Sequence, residues 1–321
     1  MSVTERSRTR RILRSVGFVL AGLLAGLLLL IGVLSVSFDR ALNRPNMNAT
    51  QKSVTSKDGT TIAFEQSGTG PVVILVAAAL SDRSGTSRLA EHLSSHFTVI
   101  NYDRRGRGKS TDTQPYALER EIEDIEALVD ATGHSAFLFG SSSGAALALE
   151  AANRLDGKVK KLFLYEPPFI VDDSRPPIPD DFSQQVIQLV SAGRRNDALK
   201  LFFTKAIGIP SFAVNLMRFL MPGWSKMAGM AHTIPYDIGV LAGTQTGKPL
   251  PPRRWTSVTA PILVVVGSKS EPFFHSGAKA LTEMLPNTKY RSLEGTSHAS
   301  VLMGPQAIAA VMHQFFQADD K

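Results

Sequence analysis

The run Phe139-Gly140-Ser141-Ser142-Ser143-Gly144 carries the strongest chemical signal in the chain. It fits the spacing G-x-S-x-G, follows an apolar stretch that reads as a strand (135–140) and opens a helical stretch from about 143 to 154. A sharp strand-to-helix turn of this kind needs small residues beside its central residue, which it projects from the sheet edge. The register puts Ser142 at that centre, not Ser141 or Ser143. A hydroxyl there sits at a helix N-terminus, whose dipole favours developing negative charge, and the Ser143 N–H becomes one donor to an oxyanion. The chemistry implied is nucleophilic attack on a carbonyl, which needs a base to take the serine proton and a carboxylate to hold that base.

His298 is the candidate base. It lies in Gly295-Thr296-Ser297-His298, between the last apolar strand and the last helix, where a loop returns over the serine. Of the other histidines well beyond Ser142, His313 falls in the terminal helix, His232 in a long insertion, and His275 after strand 261–267, where an acid is expected. Two strand ends can supply that acid. Glu166 follows strand 159–165 in Tyr165-Glu166-Pro167-Pro168, and Glu271 follows strand 261–267 in Gly267-Ser268-Lys269-Ser270-Glu271. Glu166 is preferred and Glu271 is the alternative. A second oxyanion donor is expected from a backbone N–H in the loop after strand 71–76, at Ala79, with Leu80 next.

Composition narrows the field. The 321 residues carry a formal charge of +7, but residues 1–40 hold six Arg against Glu5 and Asp39, a net +4, which leaves +3 for the rest. A globule this mildly basic, with no Arg/Lys stripe interleaved with aromatics, is not expected to bind nucleic acid. The chain has no cysteine, which excludes a thiol nucleophile, a disulfide framework and a cysteine zinc site. No HExxH or clustered His/Asp suggests a metal, and no cofactor is expected. The charged turn from Asp103 to Ser110 lacks the spacing of a phosphate-binding loop and reads as a structural turn with paired Arg and Asp.

Residues 15–38 contain no charge. As a helix that stretch reaches roughly 36 Å, longer than the ~30 Å hydrocarbon core. Arg6, Arg8, Arg10, Arg11 and Arg14 precede it, and this bias puts residues 1–14 in the cytoplasm and the rest on the extracytoplasmic side. A cleaved signal peptide, with Ser35-Val36-Ser37 as its processing site, is the competing reading. Residues 39–52 are polar and read as a linker.

From residue 53 onward short apolar runs alternate with helical stretches. Strands are predicted as a hairpin around Asp58-Gly59 and at 71–79, 97–103, 135–140, 159–166, 261–267 and 288–294. Helices are predicted at 86–95, 117–131, 143–154, near 276–285 and near 305–317. The pattern implies an α/β domain over 53–320 with a mostly parallel, doubly wound sheet. Residues 167–255 contain no convincing strand and read as a helical cap inserted over one edge of the sheet.

Taken with the turn Asp103-Arg104-Arg105-Gly106-Arg107-Gly108-Lys109-Ser110, the Gly140–Gly144 run and Gly295-Thr296-Ser297-His298, residues 53–318 resemble the α/β-hydrolase fold superfamily, especially its compact capped bacterial members. The resemblance implies a triad of Ser142, His298 and an intervening acid, with 167–255 as the cap. The Glu166 position is similar to the one used for the acid in some dehalogenase-like relatives. Two positions depart from the family: Ala77-Ala78 stand where it has His-Gly, and Ser270 stands where it has a late Asp. The expected activity is cleavage of a small or apolar ester, thioester or lactone by a membrane-anchored serine hydrolase. The alternatives are a binding protein on a catalytically degenerate fold and a cofactor-free perhydrolase using the same triad.

Overall fold

The computed structural model describes residues 48–155 and 157–318. The expected membrane span at 15–38 and the basic segment before it lie outside them. Among the described residues no helix is long and apolar enough to cross a membrane.

The elements run β1 (Thr50–Thr55), β2 (Thr61–Ser67), β3 (Val72–Val76), α1 (Ser87–Leu93), β4 (Thr98–Tyr102), α2 (Leu118–Thr132), β5 (Ala136–Ser141), α3 (Ser143–Arg154) and β6 (Val159–Tyr165). Five short helices follow: α4 (Phe182–Ser191), α5 (Arg195–Leu201), α6 (Ser211–Leu220), α7 (Trp224–Gly229) and α8 (Ile234–Val240). The chain ends with β7 (Ile262–Gly267), α9 (Pro272–Met284), β8 (Thr288–Leu293), α10 (Ser300–Met303) and α11 (Gln306–Gln317). Three details differ from the sequence expectation. Thr50–Lys52, expected as linker, already belong to β1. The helix expected near 276 starts at Pro272, whose missing N–H costs nothing in a first turn. A 3-10 turn at Arg83–Thr86, its backbone held by Asp82 Oδ1, precedes α1.

The strands form one eight-stranded sheet in the order β1-β2-β4-β3-β5-β6-β7-β8, in which β2 runs antiparallel to both its neighbours, β1 and β4, and every other pairing is parallel. Alternation along the strands explains why they read as continuous apolar runs. Ile74, Val76, Leu138, Leu162, Leu164 and Val264 face α2, α3 and α9 on one side. Val73, Leu75, Phe139, Phe163, Tyr165 and Val265 face α1 and α11 on the other. A strand buried on both faces has no polar position to spare. From β3 the chain crosses to β4 on one side and then to β5 on the other. That reversal opens a crevice at the carboxyl ends of β3 and β5, where such sheets bind ligands.

The cap helices α4–α8 share their own apolar cluster, including Phe182, Val186, Leu199, Val214 and Trp224, to which Leu80 contributes from the loop after β3. Trp255, at the end of the expected cap, belongs instead to the main core. It stacks on Phe169 and donates its indole N–H to Glu150 at 2.8 Å.

Candidate active site

Ser142 links β5 to α3 with φ 55° and ψ −126°, a combination that side chains other than glycine rarely adopt. Two glycines make the turn sterically feasible. A Cβ on Gly140 would lie 2.3 Å from the Gly144 carbonyl oxygen, and one on Gly144 would lie 2.4 Å from that of Val76. Leu80 (φ 54°) and Glu166 (φ 51°), at the neighbouring strand ends, are also left-handed. Such residues cost on the order of 1–3 kcal/mol each and cluster where surrounding structure enforces a functional geometry.

Glu166 is fully buried, and its two oxygens are accounted for. Oε2 lies 2.7 Å from His298 Nδ1. Oε1 accepts from the Gly267 N–H at 2.7 Å and from the Ser270 hydroxyl at 2.5 Å. Because a carboxylate only accepts, this contact puts the proton on His298 Nδ1 and leaves Nε2 with a lone pair. The imidazole also stacks on Phe274, with ring centres 4.9 Å apart. Tyr165 ties the two loops together: its carbonyl accepts from the Ser142 N–H at 2.9 Å, and its hydroxyl donates to the Ser297 carbonyl at 2.8 Å. Burial pushes that hydroxyl up to about 12, so it stays a donor at neutral pH.

Of the two candidate acids, Glu271 is the one the structure keeps away from His298. Its side chain is 61% exposed and lies 3.6 Å from Arg175. Ser270, which occupies the family's late Asp position, hydrogen-bonds Glu166 and so supports the acid from the neighbouring strand.

Sequence reasoning missed what holds the loop after β3. Arg104 and Arg107, both fully buried, reach Asp237 at 2.8 and 2.7 Å. Arg104 also forms a two-pronged pair with Glu121, at 2.7 Å on each arm. The same guanidiniums donate to the carbonyls of Ala77 (3.3 Å) and Ala78 (2.7 Å). In a trans peptide the N–H points opposite to the C=O. Fixing the Ala78 carbonyl on Arg107 therefore aims the Ala79 N–H the other way. Asp237 Oδ1 further accepts from the Ser143 hydroxyl at 2.8 Å. One cap carboxylate thus braces both expected oxyanion donors, and the absent His-Gly side chains are not needed for that. Asp237 is the only acid between Asp197 and Glu271, a signal that was present in the sequence. The remaining arginine of the turn, Arg105, pairs with Asp124 and Asp58 at 2.7 and 2.8 Å.

Burial alone would raise the Asp237 pKa, but Arg107 and Arg104 with the Ser143 hydrogen bond override it and hold the carboxyl below its ordinary range. Asp237→Ala leaves the buried Arg107 guanidinium without a carboxylate, while Arg104 keeps Glu121, and is expected to cost about 3–5 kcal/mol. A group whose folded pKa is depressed contributes stability above its unfolded value, ~3.9, and loses it as pH falls through the folded value. Urea unfolding should therefore show the full gap between parent and variant at pH 7 and a smaller gap at pH 3. An equal gap at both would contradict the pairing.

A cavity of ≈ 430 Å³ opens beside these groups, lined by Ala78, Ala79, Ser141 and His298. Its other walls are largely apolar, with Leu80, Met221, Met227, Met230, Leu302 and Met303 among them. Lys226, also at the wall, pairs with Asp82 at 2.8 Å.

Comparison with known proteins agrees with this architecture. An α/β hydrolase from Sphaerobacter thermophilus DSM 20745 superposes with a TM-score of 0.76 at 47% identity, covering 83% of this chain and 100% of that one. An uncharacterized hydrolase of Bacillus subtilis is 26% identical over 269 residues, 82% of this chain and 95% of its own length. A non-heme chloroperoxidase of Streptomyces lividans is 24% identical over 270 residues, 80% of this chain and 96% of its own. The family profile described as the Alpha/beta hydrolase family matches residues 73–311, and the chain belongs to that family.

Proposed function

We propose that the protein is a membrane-anchored serine hydrolase that cleaves an ester-type bond (ester, thioester or lactone) through an acyl-enzyme on Ser142. The observation that carries this reading is the 2.7 Å contact between Glu166 and His298 Nδ1, which leaves Nε2 as a base on the cavity that Ser141, the neighbour of Ser142, also lines. Ser142 Oγ attacks the acyl carbonyl while His298 Nε2 takes its proton, and Glu166 offsets the imidazolium charge. The N–H groups of Ser143 and Ala79 stabilise the oxyanion. His298 then protonates the departing alcohol or thiol. Water, deprotonated by the same nitrogen, releases the acid and restores Ser142.

The apolar cavity supports a small or lipophilic acyl group as substrate. Residues 15–38 would anchor the chain, with the catalytic domain on the extracytoplasmic side. A carboxylate within reach of His298 and an open cavity favour catalysis over a purely binding role. The similarity to a chloroperoxidase favours a second reading, in which hydrogen peroxide replaces water as acyl acceptor.

Assay of p-nitrophenyl esters from acetate to laurate tests the proposal. Turnover is expected, with kcat/KM rising from C2 through the medium chains that a cavity of ≈ 430 Å³ admits. Absence of turnover across the series by folded protein would sink it. Peracid formed when peroxide is added would favour the second reading.

A further inference from the structure

The cap turns an apolar face away from the protein. In α6 only Val214 is buried, while Phe212, Leu216 and Phe219 are 77%, 58% and 80% exposed. The spacing i, i+4, i+7 aligns the three in one stripe, and Asn215 falls within it. Moving such side chains out of water is favourable, so an exposed stripe of three is a surface that gains by being covered. The helix leads directly into Met221-Pro222-Gly223, which line the cavity, and Met221 and Met303 at that lining are themselves exposed.

Two further observations identify what covers the stripe. From Ala198 to Tyr236 the chain holds Lys200, Lys205, Arg218 and Lys226 and no acid. Lys205, before α6, and Arg218, within it, are exposed. An apolar helix face with cations beside it is the composition that settles on anionic lipid. The tether also has the reach. Thr50 lies opposite Gln66, which lies opposite Ile100, the middle residue of β4. The chain therefore enters the domain at the mid-height of the sheet, roughly 7 Å below the carboxyl edge that the cap overlies. Residues 39–49 extend at most about 36–40 Å, against a helix layer about 10–12 Å thick.

We infer that α6 docks on the surface of an anionic lipid bilayer, the one that residues 15–38 are proposed to span, so that the cavity entrance faces lipid and apolar acyl esters reach Ser142 from the membrane. This rests on the anchored reading of the N-terminal segment.

The absence of native cysteine permits a clean test. The full chain carrying Asn215→Cys, labelled with nitrobenzoxadiazole, is reconstituted into phosphatidylcholine/phosphatidylglycerol vesicles containing chain-brominated lipid. Ser95→Cys, at the opposite sheet edge between α1 and β4, is the reference. The probe at position 215 is expected to shift to the blue and be quenched at least twofold, and that at 95 to be unaffected. Adding Phe212→Ser, Leu216→Ser and Phe219→Ser should abolish the quenching. A chain that floats with vesicles while its position-215 probe stays unquenched overturns docking and leaves the anchor intact. A chain that does not float at all overturns both. A blue shift without quenching, at doubled molecular mass, assigns the stripe to a second copy and also overturns docking.

Discussion

Ser142→Ala is expected to lower ester turnover by about 10⁵–10⁶-fold, because serine and histidine act as one unit and neither performs the attack alone. The protein should remain folded. The substitution removes one hydroxyl from a turn whose shape is set by Gly140, Gly144 and the Tyr165 carbonyl. Some rate above that in water should persist, since the Ser143 and Ala79 N–H groups do not depend on the Ser142 side chain. The effect should fall on kcat, with KM for an apolar ester changed little. A loss of less than tenfold would mean that the reaction runs elsewhere.

The second large effect is expected from Glu166→Gln, about 10³–10⁴-fold in kcat with the fold retained. The reason lies in what surrounds each carboxylate oxygen. Gly267 N–H and Ser270 hydroxyl both donate to Oε1, so a glutamine places its carbonyl there. Its NH₂ then faces His298 Nδ1, which must accept rather than donate. The imidazole proton moves to Nε2, the nitrogen that has to take the Ser142 proton, and the base is lost. Glu271→Gln should leave kcat within about twofold, since that side chain sits in solvent beside Arg175. Parallel steady-state kinetics of the two variants separate the candidate acids. Equal losses, or a larger loss from Glu271→Gln, would reverse the assignment.

Much of the architecture was legible because burial on both faces leaves strands such as Val72–Val76 and Ile262–Gly267 wholly apolar. The serine turn was legible because only small residues fit there, and His298 because of the loop it shares with Gly295. Contacts between distant segments were not legible. Ser270 reads in sequence as a missing acid, and only the pairing of β7 beside β6 shows it as a donor to Glu166. Asp237 lies 94 residues from Ser143 and within an insertion that has no periodic signature of a site. The choice between Glu166 and Glu271 likewise turns on backbone direction at two strand ends, which residue type does not encode. In the cap, residue type does not encode that Phe219 is 80% exposed while α6 turns Val214 inward.

The proposed mechanism requires Ser142 to be an activated nucleophile. The most direct test is to incubate the folded protein with a fluorophosphonate and map the adduct by mass spectrometry. One stoichiometric adduct is expected, located on Ser142 and absent from heat-denatured protein and from Ser142→Ala. No adduct on folded protein, or an adduct on Ser141 or Ser143 instead, would contradict it.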